Sequence, residues 1–425
     1  MDGPRKLNKW QFVGTVLGPG LIYAGASIGT SHLVQATRAG AMAGLGLLGV
    51  VLLALLLKFP FFEFGSRYSS ATGKDLVHGY REIGIWALLL FLSATLLTGG
   101  FAGVALIRFT AILFAFVFGG SENLMAWVVG LSSAVVALIY FGGYRLLDKT
   151  MKSVLVVLAV STVAATLAST PLIDIQTIRL VPMMEGNLIV PLAFLLALVG
   201  WMPAPIEVSA WYSLWAVAKY RESDRVPSVS EARLDLMIGY FGSGFLALCF
   251  LALGAAVMYG AAIPLSNKGS VFSTQLVEMY SMTLGGWARP LVIVAVLTTM
   301  LSTILAVMDA VPRTISAAVS SLRGSDLNGK EGKDTIFVAS LLGLGVFSIF
   351  GNAVFVGSFT IIIDAATIVA FLTAPVLAML NLRLVTSESM PEEHRPSTAM
   401  RVYASLGIGL SVLFSFYYFA YRLSF

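Results

Sequence analysis

Apolar residues run along this chain in long blocks, separated by short polar segments that carry most of its charge. A block of about 18 or more apolar residues is long enough to cross a bilayer as a helix. The pattern predicts eleven such spans, over residues 12–37, 44–64, 86–118, 125–141, 154–167, 189–218, 236–259, 287–311, 336–350, 358–380 and 403–421. The expected fold class is therefore an all-α integral membrane protein forming one transmembrane domain.

Two of the blocks are interrupted. In the first, Gly25, Ser27, Gly29, Thr30, Ser31 and His32 fall near the middle of an apolar run; in the sixth, Gly200, Pro203 and Pro205 do the same. Glycine weakens a helix by about 1 kcal/mol relative to alanine. A backbone group freed inside lipid costs several kcal/mol unless protein or a water-filled cavity satisfies it. Paired breaks at that depth point to a transporter whose site lies between two discontinuous helices. Breaks in spans one and six divide the chain into five spans, five spans and one extra, with a first repeat at 12–169, a second at 187–384 and the extra helix at 398–425. An odd repeat length makes the second copy inverted. Aligned without gaps, Gly25 stands opposite Gly200, Ser27 opposite Met202, Thr30 opposite Pro205 and His32 opposite Glu207.

Composition agrees with the pattern: 58% of residues are hydrophobic and 12% charged, against about 25% charged in soluble domains. The net charge of +5 is spread among short loops, so no basic patch for nucleic acid is formed. Of the 27 lysines and arginines, twenty fall in segments predicted to be cytoplasmic and five on the other side, with Lys58 and Arg108 inside spans. That bias predicts a multi-pass protein of a bacterial inner (plasma) membrane, N-terminus cytoplasmic and C-terminus outside. The single cysteine, Cys249, excludes disulfides and cysteine metal clusters. Neither a GxxxxGK[ST] phosphate loop nor an HExxH helix occurs, so an enzyme or an ATP-driven pump is not expected, and no cofactor is implied.

Ionisable groups inside spans are the first candidates for chemistry. Glu207 follows the second break and could bind a cation or carry a proton; His32 follows the first, and histidine titrates near neutral pH. Their matching positions predict that they face one cavity and share a proton. Glu63 with Arg67, and Asp309 with Arg313 beside Pro312, are spaced to form ion pairs on one helix face. Arg108 could serve a proton path or snorkel. Met202 could donate a thioether, and Trp201 and Trp211 could line a vestibule.

Several stretches resemble the natural resistance-associated macrophage protein (Nramp) family of divalent-metal transporters. They are LGPGLIYAG at 17–25, ATGKDL at 71–76, GYRLLD at 143–148, WMPAP at 201–205 and LSTILAVMDAVPRTI at 301–315. The resemblance implies a LeuT-like inverted-repeat fold, alternating access and, often, proton coupling. It places Asp364 and Thr367 in the tenth span, which often faces the two broken helices. The family's first break carries an Asp-Pro-Gly-Asn motif whose Asp and Asn ligate metal, and its sixth span reads Met-Pro-His. Here the corresponding residues are Gly25-Ala26-Ser27-Ile28 and Met202-Pro203-Ala204. The chain thus resembles a divergent branch, with only Met202 retained.

On this reading Met202, Glu207 and Ser27 are expected around a metal ion, with Thr30 and Thr367 also lining the substrate site. His32, Glu207 and Asp364 are expected to handle protons. The expected cargo is a divalent cation such as Mg²⁺ or Mn²⁺. The alternative is a proton- or sodium-coupled carrier of a small organic or anionic solute. The transported species and the bilayer are the expected partners, with a single chain as the unit.

Overall fold

A computed structural model describes residues 18–324, apart from 180, 185–186, 189 and most of 260–284, together with 335–354 and 359–424. The predicted start of the first span and the N-terminal basic residues Arg5, Lys6 and Lys9 lie outside the described residues. The described residues are helical almost throughout. Their departure is a ladder of two residues on each side, Met183–Met184 antiparallel to Asn187–Leu188, in the segment between the predicted repeats.

The first apolar block forms α1 (Pro19–Ser27), then a π-helical turn over Ser31–Ala36 that continues into α2 (Thr37–Ala43). The second block is α3 (Leu48–Thr72), stopped by Gly73 in the left-handed conformation, φ 69°, a cap for which glycine carries no Cβ penalty. A short helix, α4 (Leu76–Ile83), begins at Asp75, whose carboxylate accepts from the His78 backbone N–H at 3.0 Å and lies 2.8 Å from His78 Nδ1. Burial alone would push the Asp75 carboxyl up; its bonds from His78 outweigh that and hold it below the ordinary carboxylate range.

Helix α5 (Ile85–Phe118) follows, then α6 (Leu124–Ser169). The loop expected between spans four and five is helical, so α6 carries the apolar stretch Leu124–Gly142 and most of a second, Leu155–Leu172, which ends in the 3₁₀ turn Thr170–Leu172. No proline interrupts the polar stretch between them, and its Arg, Leu and Lys residues all favour helix. The sixth block is split into α7 (Leu192–Trp201) and α8 (Val208–Ser223). Next come α9 (Val229–Leu253), started by a Ser228–Glu231 capping box, then α10 (Arg289–Arg323), α11 (Thr335–Val354), α12 (Phe359–Val385) and α13 (Thr398–Ser424). Among the described residues, nine helical stretches are long and apolar enough to cross a membrane; the two interrupted blocks stand outside that count.

Packing at the centre depends on small residues, as expected where lipid supplies no hydrophobic drive between helices. A Cβ on Gly20 of α1 would lie 2.0 Å from the Asp235 carbonyl of α9, and one on Gly239 would lie 2.0 Å from the Gly20 carbonyl. At this crossing the Asp235 carboxylate accepts from the Gly18 and Gly20 N–H groups at 3.1 and 2.7 Å. A residue 215 positions away in sequence thus caps α1. Pro60 inside α3 cannot donate to the Leu56 carbonyl one turn back. That carbonyl instead accepts from the Tyr403 hydroxyl of α13. The predicted helix-face pairs form: Arg67 Nε reaches both Glu63 oxygens at 3.0 Å, and Arg313 Nη2 reaches Asp309 at 2.7 Å.

Candidate functional site

Between α1 and the π-helical turn the chain leaves helical geometry at Ile28, φ −82° and ψ 74°. The carbonyls released there are taken up by a neutral donor. Thr303 Oγ1 of α10 lies 3.0 Å from the Gly25 oxygen, 3.2 Å from the Thr299 oxygen of its own helix and 3.3 Å from that of Ile28, so its one proton is shared among them. A Cβ on Gly29 would stand 2.6 Å from the Thr303 side chain, so glycine is required for this approach.

At the second break α7 ends at Trp201, Met202 is extended (φ −100°, ψ 118°), and α8 resumes with Glu207 at its N-cap. Pro203 and Pro205 have no N–H to leave unpaired. Three carbonyls here meet a charged donor: Lys58 Nζ of α3 lies 2.6 Å from the Val199 oxygen, which also accepts from the Met202 N–H, 2.8 Å from Gly200 and 3.1 Å from Ala204. Lys58 is 5% exposed. Gly200 also allows α7 to touch α12, since a Cβ there would lie 2.1 Å from the Thr367 carbonyl.

A cavity of about 40 Å³ lies between the two breaks. Its polar lining consists of Ser27, Thr30 and Ser31 from the first break, Thr98 of α5, Thr303 of α10, and Glu207. Ser27 donates its hydroxyl proton to the Tyr23 carbonyl and Thr98 to Ala94, both at 2.8 Å, while the Ser31 hydroxyl lies between the Ser27 carbonyl and His32 Nδ1. Their oxygens therefore remain as acceptors. Glu207 is 1% exposed, and neither carboxylate oxygen makes a hydrogen bond of good geometry among the described residues, although the Thr98 hydroxyl and its own backbone N–H lie near enough to interact with it. The indole nitrogens of Trp201 and Trp211, which also line the cavity, are likewise unpartnered. A buried carboxylate left this way is costly and calls for a proton or a cation. The cavity sets hydroxyl oxygens and two indole N–H groups around one acid.

Of the predicted site residues, Ser27, Thr30 and Glu207 come together here. Met202 does not: it is fully buried in the apolar core and is absent from the cavity lining. Thr367 is absent too, with its hydroxyl donating to the Ile363 and Asp364 carbonyls of its own helix, each at 2.9 Å. The expected pairing of His32 with Glu207 across one cavity is not what the geometry shows. His32 Nε2 donates to the Ser243 carbonyl of α9 at 2.9 Å, and Nδ1 lies 2.8 Å from Ser31 Oγ. The gap-free alignment assumed α-helical spacing after the first break. The π-helical turn has more residues per turn and changes which face each position occupies.

Asp364 accepts from Arg38 at 2.9 Å and from Gln35 at 2.9 Å. This joins α12 to the second half of the broken first span, at the end of the bundle that the charge bias assigns outward. Lys58, Thr98 and Thr303 were not among the predicted site residues. Of these, only Lys58 carried a signal, as a charge inside an apolar run. Among the described residues no group of three or more His, Cys, Asp or Glu side chains could hold a metal ion.

Known proteins match the chain along its length. The model of the family described as "Natural resistance-associated macrophage protein-like" matches residues 20–421. An uncharacterised protein of Pasteurella multocida (strain Pm70) is 36% identical over 421 residues, covering 96% of this chain and 92% of the relative. Among solved structures, a mutant of the Eremococcus coleocola manganese transporter superposes with TM-score 0.76 at 17% identity, covering 97% of this chain and 88% of the other. The nucleobase-cation-symport-1 family transporter Mhp1, closed around bromovinylhydantoin, does so with TM-score 0.59 at 15% identity, covering 95% and 92%. At these identities the structural matches show the fold, which is the LeuT-like one.

Proposed function

The chain belongs to the natural resistance-associated macrophage protein-like family of membrane transporters, and on that premise we propose that it carries a hard divalent cation, Mg²⁺ or Mn²⁺. The observation that carries this reading is the buried Glu207 carboxylate, which lacks a hydrogen bond of good geometry among the described residues, in an ion-sized cavity between the two broken helices. Carboxylate, hydroxyl and carbonyl oxygens suit hard cations, whereas thioether and thiolate suit soft ones. With Met202 outside the cavity, its donor set holds no sulfur.

One acid compensates a naked dication poorly. The proposed cargo therefore keeps part of its water shell, which Mg²⁺ in particular gives up reluctantly. A volume of about 40 Å³ holds an ion with one or two waters. A small organic solute needs several times that space, so the alternative cargo fits a cavity of this size badly. Proton coupling enters through the same residue: a Glu207 protonated in the empty cavity and ionised around the cation exchanges one for the other. Its failure to share a cavity with His32 leaves Glu207 as the proposed site of that exchange.

Uptake into proteoliposomes tests the reading. Saturable Mn²⁺ or Mg²⁺ flux that depends on pH is expected, with both the flux and its pH dependence lost in Glu207→Gln. Flux of neither ion, or an unchanged pH profile in Glu207→Gln, would contradict it. The proposed topology, N-terminus inside and C-terminus outside, is checked by protease accessibility of terminal tags in sealed vesicles.

A further inference from the structure

The second break contains an arrangement that the transport reading does not use. Three backbone carbonyls, those of Val199, Gly200 and Ala204, converge on a single point, and that point is occupied by the Lys58 ammonium. Two of them belong to the C-terminal turn of α7, at the negative end of its dipole, where the Val199 carbonyl also accepts from the Met202 N–H at 3.3 Å. The third comes from the non-helical segment. Carbonyls gathered in this way are what a cation receives when it sheds its water. The first break manages without a charge: there the single Thr303 hydroxyl proton is shared among the Gly25, Ile28 and Thr299 carbonyls. Placing a charge at the second break means burying it at 5% exposure in the middle of an apolar helix, at a substantial desolvation cost. A tripod of carbonyls is also the geometry an ammonium prefers, with three donors and no acceptor.

We propose that the Val199, Gly200 and Ala204 carbonyls form a binding site for a small monovalent cation, and that Lys58 fills this site permanently with its own ammonium group. Lys58 is then an internal counter-ion of the break. It supplies the positive charge that holds α7 and the extended segment in place, so the chain needs no dissolved monovalent cation at this position. It also stands within electrostatic reach of Glu207 across the break. The inference holds whichever ion the cavity carries.

The test is thermal unfolding of the full-length purified protein without transport substrate, so a failed Mn²⁺ or Mg²⁺ uptake assay leaves it untouched. The wild type is expected to unfold at the same temperature in ammonium, potassium, n-propylammonium or choline chloride at matched ionic strength. Lys58→Ala removes the stem and the charge together. Its midpoint is expected to fall, and to recover by several degrees in n-propylammonium or ammonium but not in choline, because a ligand that binds only the native state raises its stability. Lys58→Met, which keeps the volume without the charge, is the second variant, and it covers the case in which the alanine variant does not fold. Lys58→Arg keeps the charge. If Lys58→Met is as stable as the wild type in choline, or if Lys58→Arg is as unstable as Lys58→Met, the carbonyls need no cation and the proposal fails. Insensitivity of a folded Lys58→Ala to every small cation would also overturn it.

Discussion

At the first break the carbonyls of Gly25 and Ile28 take a neutral hydroxyl from Thr303, whereas at the second those of Val199, Gly200 and Ala204 take an ammonium from Lys58. No acid or base among the cavity-lining residues belongs to the first break; the second contributes Glu207 at the start of α8 and receives Lys58 at the end of α7. Each charge matches the helix end it meets, the carboxylate at a positive N-terminus and the ammonium at a negative C-terminus. The family motif that the first break resembles would place an acid there, and here that acid is absent. The electrostatics of the site are thereby concentrated in the second break, while the first supplies hydroxyl and carbonyl oxygens. On the proposed reading this leaves a cation site with a single acid, which suits an ion that remains partly hydrated.

The comparison is broken most severely at Glu207. Replacing it with glutamine removes the only charge in the cavity lining, and uptake of Mn²⁺ or Mg²⁺ should fall about 10- to 100-fold, the value of a charged contact; an initial-rate assay in proteoliposomes reads this. Next comes Gly200→Ala, whose new Cβ would meet the Thr367 carbonyl at 2.1 Å. Backbone cannot step aside, and overpacking of this kind costs about 1–3 kcal/mol. Gly29→Ala at the first break meets only a side chain, Thr303, at 2.6 Å, so its unfolding midpoint should drop less. Equal losses would mean that the first break is as tightly held as the second.

Thr303→Val leaves the Gly25 and Ile28 carbonyls without their bridging donor while preserving volume. A loss of about 1–2 kcal/mol in denaturant unfolding is expected, smaller than that of Lys58→Met because no buried charge is involved. The smallest effect is predicted for Met202→Leu. This volume-conserving change in an apolar core should leave uptake of Mn²⁺ within about twofold of wild type. A loss like that of Glu207→Gln would return the thioether to the site.

The breaks themselves could be read from the chain because glycine and proline are costly within an apolar run, and Glu207 stood out as a charge beside one of them. The direction of Met202 could not be read. It sits in an extended segment where helical spacing no longer tells which way a side chain points. His32 was misplaced for a related reason, the π-helical turn that follows the first break. Lys58 was visible as an intramembrane charge, but its partners are backbone carbonyls more than 140 residues away, which no side-chain pattern reveals. Thr303 and Thr98 are ordinary hydroxyls within helices, and only the packing of α10 and α5 against the breaks gives them a place in the site. Asp364 was read as a proton handler and is found paired with Arg38 and Gln35. Its partners lie on another span, so spacing within its own helix did not identify them.

The central claim, that the second break's acid holds a hard cation without help from the methionine beside it, is tested most directly by anomalous X-ray scattering. Crystals of the wild type, Glu207→Gln and Met202→Leu would each be grown with Mn²⁺. The account predicts one peak in the cavity beside Glu207, present in the wild type and in Met202→Leu and absent in Glu207→Gln. A peak against the Met202 sulfur, or one that survives in Glu207→Gln, would contradict it.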